Sequence, residues 1–165
     1  MRTAQARGSV RLAPSETLAL WSDVERWPSF VEGFARLLEL SPDWPAKGAR
    51  VVWESTPEGR GRVTETITDN RADRFSTQVF EDALIGTQTL RAIPASDGSA
   101  IDGSAIDGSA SDGSAIELTL EYELAKYGPL ASVADAIFIR RALRDALRRT
   151  LFRFRIEAEE EAELG

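Results

Sequence analysis

The chain has 165 residues, a formal net charge of −7, no histidine and no cysteine. Its length suits one domain able to bury a core without staples. The missing residue types remove the commonest neutral-pH base and the usual zinc and haem-thiolate ligands, along with Ser-His-Asp and Cys-His chemistry, and the acidic balance argues against nucleic-acid binding.

In chain order, Ser9–Leu12 predicts a short first strand. Pro14 and Ser15 open a helix, with Ser15 as candidate N-cap and Glu16 well placed for the helix dipole. Leu18, Trp21 and Val24 share one face of it. Pro28 opens a second short helix, PSFVEGF, which Gly33 ends. RLLELS, ARVVWES, GRVTETITDN, RFSTQVF and ALIGTQTLRAI then read as strands separated by turns. GRG at Gly59–Gly61 precedes a strand, not a helix, so it predicts a hairpin rather than a phosphate loop.

Four DGSA-type pentapeptides follow, from Ser96 to Ala115. Asp-Gly favours turns, and the composition predicts a flexible loop. Calcium binding through nonapeptide repeats needs a spacing that a period of five does not supply. Beyond the loop, Ile116, Leu118, Leu120, Tyr122 and Leu124 alternate with polar residues, the mark of a half-buried antiparallel strand. The loop therefore joins two neighbouring strands, and the domain is expected to stand without it.

Pro129 begins a helix that runs unbroken to about Glu160, with a bend or a frayed acidic end expected because of its length. Ala136, Ile139, Leu143, Leu147, Leu151 and Phe154 form its apolar stripe. Its first half, LASVADAIFI, is apolar on nearly all sides, as expected of a helix covered on more than one surface. Residues 157–165 read as an acidic tail. RRALRDALRRTLFRFR is the basic patch, either a solvated helix face or a surface for a partner or an anionic membrane.

Strand, two short helices, six strands, long helix: this order resembles the START/SRPBCC superfamily of polyketide cyclase/dehydrase and lipid-transport proteins. The resembling pieces are Pro14, Trp21, Asp23 and Trp27-Pro28, then GARVVWESTPEGRGRVTETI and the GPL-opened terminal helix. The resemblance implies an α+β helix-grip fold over residues 1–165, with a curved antiparallel sheet of about seven strands around the C-terminal helix and a cavity between. It also implies a hydrophobic small-molecule ligand such as a lipid or polyketide.

Under that fold, alternation selects the inward residues. Val51 and Trp53 share a face, as do Val63, Glu65 and Ile67, and Phe75, Thr77 and Val79. Glu65 is the odd member, because a carboxylate on an apolar face is costly unless paired or protonated. It is read either as a buried ion pair with Arg141 or Arg144, or as a polar handle or base inside a cavity. Candidate ligand-binding residues are Trp53, Glu65, Phe75, Thr77, Gln88, Tyr122, Phe138 and Arg141. Ile137 is read as core or cavity wall. Trp21, Trp27, Phe30 and Phe34 pack the short helices or line a mouth.

The leading functional reading is a carrier or sensor of a hydrophobic small molecule. The alternative is a cofactor-free cyclase or dehydratase using Glu65, Tyr122 and an inward arginine. A third is a closed core serving as an interaction module. No metal or cofactor is expected. Without cysteines, an apolar leader run or a span of about 18 apolar residues, a cytoplasmic protein without stable membrane insertion is expected.

Overall fold

The period-two patterns do become strands, and they pair as one sheet. In the computed structural model, which describes residues 1–95, 113–124 and 133–164, the strands are β1 (Arg2–Val10), β2 (Phe34–Leu40), β3 (Arg50–Ser55), β4 (Arg62–Asn70), β5 (Arg74–Phe80), β6 (Leu84–Pro94) and β7 (Ser114–Leu124). The helices are α1 (Pro14–Ser22), α2 (Trp27–Phe30) and α3 (Val133–Leu164), with a 3₁₀ turn at Val24–Arg26. The sheet order is β1-β7-β6-β5-β4-β3-β2, antiparallel throughout. Irregularities on β2 and after Ile67 on β4 add local bends, as bulges do. The curved sheet holds α3 against its inner face.

From β2 to β6 sequential strands pair across short connections, and β7 pairs with β6 across the longer repeat-bearing segment. The one return is β1, which lies beside β7 and closes the order at that edge. β6 and β7 pair from Leu84↔Leu124 to Pro94↔Ser114, so the repeat does join neighbouring strands. Ser114 and Ala115 belong to β7 itself; residues 96–112 lie outside the described residues.

Three expectations about element ends need correction. β1 begins at Arg2, well before Ser9, because its whole length pairs with β7. Its inward residues are Ala4, Ala6, Gly8 and Val10, side chains too small to register as a hydrophobic face. Ser15 is not the N-cap of α1. Ala13 occupies that place without a side-chain bond, Pro14 takes the first helical position, and the Thr17 hydroxyl donates to the Ala13 carbonyl at 2.9 Å. The second helix is a single turn, closed before Val31; Gly33 follows with φ +76° and turns the chain into β2.

The largest correction concerns α3. The acidic segment is no tail: it is the last two turns of the helix, and Ala158 within it is wholly buried. Arg26 holds Glu157 at 2.8 Å and Glu161 at 3.1 Å, and Arg11 pairs with Glu159. The buried stripe runs through Leu147, Leu151, Phe154 and Ala158. Each large member is worth about 1.5–3 kcal/mol of transfer. Phe154 sits edge-on to Trp21 and Phe30, at 5.2 and 5.1 Å between ring centroids, and so locks α3 to α1 and α2. The apolar first half, by contrast, is not covered all round: Ile137 and Phe138 are 53% and 74% exposed. The expected start at Pro129 lies outside the described residues.

Candidate functional site

Inward alternation on β4 puts Glu65 between Val63 and Ile67, and the sheet carries all three to the α3 side, with Glu65 only 4% exposed. Its partners come from adjacent strands. The Trp53 indole Nε1 donates to Glu65 Oε2 at 2.8 Å, and the Thr77 hydroxyl donates to Oε1 at 2.9 Å. The expected ion pair with Arg141 or Arg144 does not form; both arginines lie exposed on α3. Two neutral donors hold the carboxylate instead. Each oxygen can accept more than one bond, so capacity for a further donor remains.

Beside this group lies a pocket of about 40 Å³ between sheet and helix. Its sheet side is Trp53, Glu65, Gln88 and Leu120; its helix side is Leu143, Ala146, Leu147 and Thr150. Trp21 and Trp27 close one end. A pocket of this size has room for water, which needs about 10–15 Å³. A drug-sized guest usually occupies roughly 300–1,000 Å³. The cavity expected between sheet and helix is therefore reduced here to a small, mainly apolar pocket with Glu65, Gln88 and Thr150 among its polar members.

Arg60 is the site residue that sequence reasoning passed over. It sits in the β3–β4 hairpin, where Glu58 and Gly61 have φ of 68° and 77° and the Ser55 N–H donates to the Gly61 carbonyl at 2.8 Å. That turn folds Arg60 inward, so that its guanidinium lies 5.2 Å from the Trp53 ring centroid and pairs with Glu81. The Glu81 side chain is 3% exposed. Burial pushes its carboxyl above the ordinary value, an effect Arg60 partly offsets and the nearby Glu65 reinforces. Arg60 thus lines the pocket beside Glu65 while its guanidinium is paired with the buried Glu81. Turn residues carry no alternation, so only the hairpin's closed geometry reveals this.

The other candidates divide. Trp53, Glu65 and Gln88 meet at the pocket, and Thr77 supports Glu65 from behind. Phe75 is core, 5.9 Å edge-on to Trp44. Tyr122 is 1% exposed on the same inner face, and its hydroxyl finds no hydrogen-bond partner among the described residues. It lies opposite Gly86, where a Cβ would run into the Glu121 carbonyl and the Tyr122 side chain. Phe138 and Arg141 are not brought to the pocket. Trp21, Trp27 and Phe30 are packed, and Phe34 stacks on Trp53 at 5.3 Å.

A START superfamily protein from Mycobacterium smegmatis superposes with a TM-score of 0.69 over 96% of this chain and 97% of its own, at 11% identity.

The chain has the START/SRPBCC helix-grip fold.

A protein from Thermus thermophilus, TTHA0849, shares the helix-grip fold with a TM-score of 0.68 at 16% identity, covering 95% of this chain and 97% of that one. The ZhuI aromatase/cyclase from Streptomyces sp. R1128 shares it with a TM-score of 0.65 at 14% identity, covering 98% and 93%. No protein-family model and no curated protein sequence matches the chain. At these identities the helix-grip likeness speaks for architecture, and the chemistry rests on this chain's own residues. Among the described residues no helix is long and apolar enough to cross a membrane, and no cluster of acidic side chains is grouped as metal ligands are.

Proposed function

We propose that this domain binds a hydrophobic small molecule between its sheet and α3, as a carrier or sensor, with Glu65 as the polar handle. The observation that carries the reading is the buried Glu65 carboxylate facing a pocket between two layers, held by Trp53 and Thr77 with accepting capacity left over. Each oxygen has one protein donor, as buried acceptors usually do, and each can still accept a second from a guest. A ligand hydroxyl is the fitting complement, with Gln88 as a second polar contact and Trp53, Trp21 and Leu120 as apolar walls.

The small volume sets a condition on this reading. Leu143 and Ala146, the helix side of the pocket, are half-buried, and they lie where α3 passes from exposed Phe138 to buried Leu147. Outward movement of that segment enlarges the pocket while sacrificing little buried apolar area. The C-terminal half, pinned by Phe154 and the Arg26 ion pairs, serves as the fixed end.

A second reading, a cofactor-free cyclase or dehydratase, draws on the Tyr122 hydroxyl, which has no partner among the described residues, as a proton donor on the same face as Glu65. The Glu65→Gln variant separates the two. Native mass spectrometry of the freshly purified protein identifies a co-purifying ligand, and that compound is titrated against wild type and variant. A weakened affinity with no turnover by either protein supports the carrier. Equal affinity with turnover confined to wild type supports the enzyme. A Glu65→Gln protein that binds as wild type does, with no turnover by either, removes Glu65 from the site.

A further inference from the structure

The pocket leaves Phe138 and Arg141 unused, and both belong to a second surface. Phe138, Arg141, Asp145, Arg148, Phe152 and Ile156 are spaced by three and four residues, so they line one face of α3, opposite Leu147, Leu151 and Phe154. Phe138 is 74% and Phe152 64% exposed, with Ile137 and Ile156 about half exposed beside them. From Ile137 to Ile156 the helix holds seven arginines against one aspartate, whereas Glu157–Glu163 holds five glutamates. Arg149 and Arg153 pair with Glu32. Among the described residues no carboxylate pairs with Arg140, Arg141, Arg144 or Arg148.

This face continues into an open groove of about 580 Å³ between α3 and the edge strand β1, lined by Gln5, Arg7, Arg148, Phe152 and Arg155. Arg155 is oriented by donating to the Ser9 carbonyl at 3.0 Å, and Arg7 by Glu117 at 2.8 Å. The groove therefore presents three guanidinium groups beside a protruding phenyl ring.

We propose that this face docks on an anionic phospholipid surface, the groove taking a phosphate headgroup while Phe152 and Phe138 enter the interface beneath it. Arginine supplies charge and forked donors to phosphate. Apolar side chains protruding from a convex helix among arginines suit a fluid interface, into which such faces sink by about 5–10 Å. An acidic protein partner would instead need preformed recesses for those rings. The acidic end of α3 and the outward Glu121 and Glu123 of β7 are repelled by the same surface, which fixes the orientation, while Glu117 is offset by its pairing with Arg7. This inference uses none of the pocket residues and stands apart from the ligand reading.

The test is co-sedimentation with phosphatidylcholine vesicles, with and without phosphatidylglycerol, at low and high salt. The full chain is expected to pellet with the anionic vesicles alone and to be released by salt. Each arginine near such a surface is worth about 1 kcal/mol, roughly fivefold in partition. Arg148→Glu, a change of two charges, is thus expected to lower partition roughly 25-fold, with Arg141→Glu as a second variant. Phe152→Ser is expected to lower it about tenfold. All three sites are exposed, and unchanged circular dichroism verifies folding. Absence of binding to anionic vesicles overturns the proposal, as does binding that both reversals leave untouched. Retention on polyglutamate or nucleic acid by a protein that ignores vesicles also overturns it, and reassigns the face to a macromolecular partner.

Discussion

The first half of α3 is the richer in apolar residues, yet the second half is the better buried among the described residues. From Leu147 onward the helix lies against sheet, α1 and α2, with Phe154 and Ala158 wholly buried and its acidic turns tied down by Arg26 and Arg11. Before Leu143 the same helix shows Phe138 and Ile137 to solvent. The difference teaches that a helix's own periodicity selects a stripe, but the surface laid against it decides how far along the helix that stripe is buried. The candidate pocket sits at the change-over, where the proposed outward movement of α3 would leave the core packed.

The contrast can be broken at its strong end first. Phe154→Ala removes a ring packed against Trp21 and Phe30, and a loss of about 3–5 kcal/mol in urea unfolding is expected. A loss below about 1 kcal/mol would mean that the C-terminal half is not the fixed end. Arg26→Ala unties Glu157 and Glu161 at partly exposed sites, for which about 1 kcal/mol is expected, shrinking with added salt. Amide exchange in the last two turns of α3 should quicken with it. Phe138→Ser should change stability by less than about 0.5 kcal/mol, as exposed positions do. A larger destabilisation would show that the exposed half is packed after all, and would weaken both the movable-wall and the docking readings.

Much of the site was legible where alternation governs. Val63, Glu65 and Ile67 had to share a face, and Ile116 to Tyr122 likewise, because successive side chains in a strand point to opposite sides. Glu65 stood out as the charged member of an apolar row. Its partners were not legible. Thr77 and Trp53 reach it through the pairings Ile67↔Thr77 and Trp53↔Val63, and register is a property of two strands rather than one. Arg60 was hidden by the hairpin, whose left-handed residues aim it by backbone geometry alone. β1 was read short because Ala4, Ala6 and Gly8 give an inward face without bulk; β7 and α3 supply the bulk from outside.

By itself, the order of residues settled the element sequence, the antiparallel connectivity and the inward rows, since these follow from periods of two and 3.6 and from short connections. Only tertiary packing decided that Glu65 is held by an indole and a hydroxyl rather than an arginine, and that the pocket is small. It also made the acidic end of α3 an anchor and left Ile137 and Phe138 exposed. Those outcomes depend on which surfaces meet across the chain, and solvation, charge pairing and burial are all set at that meeting.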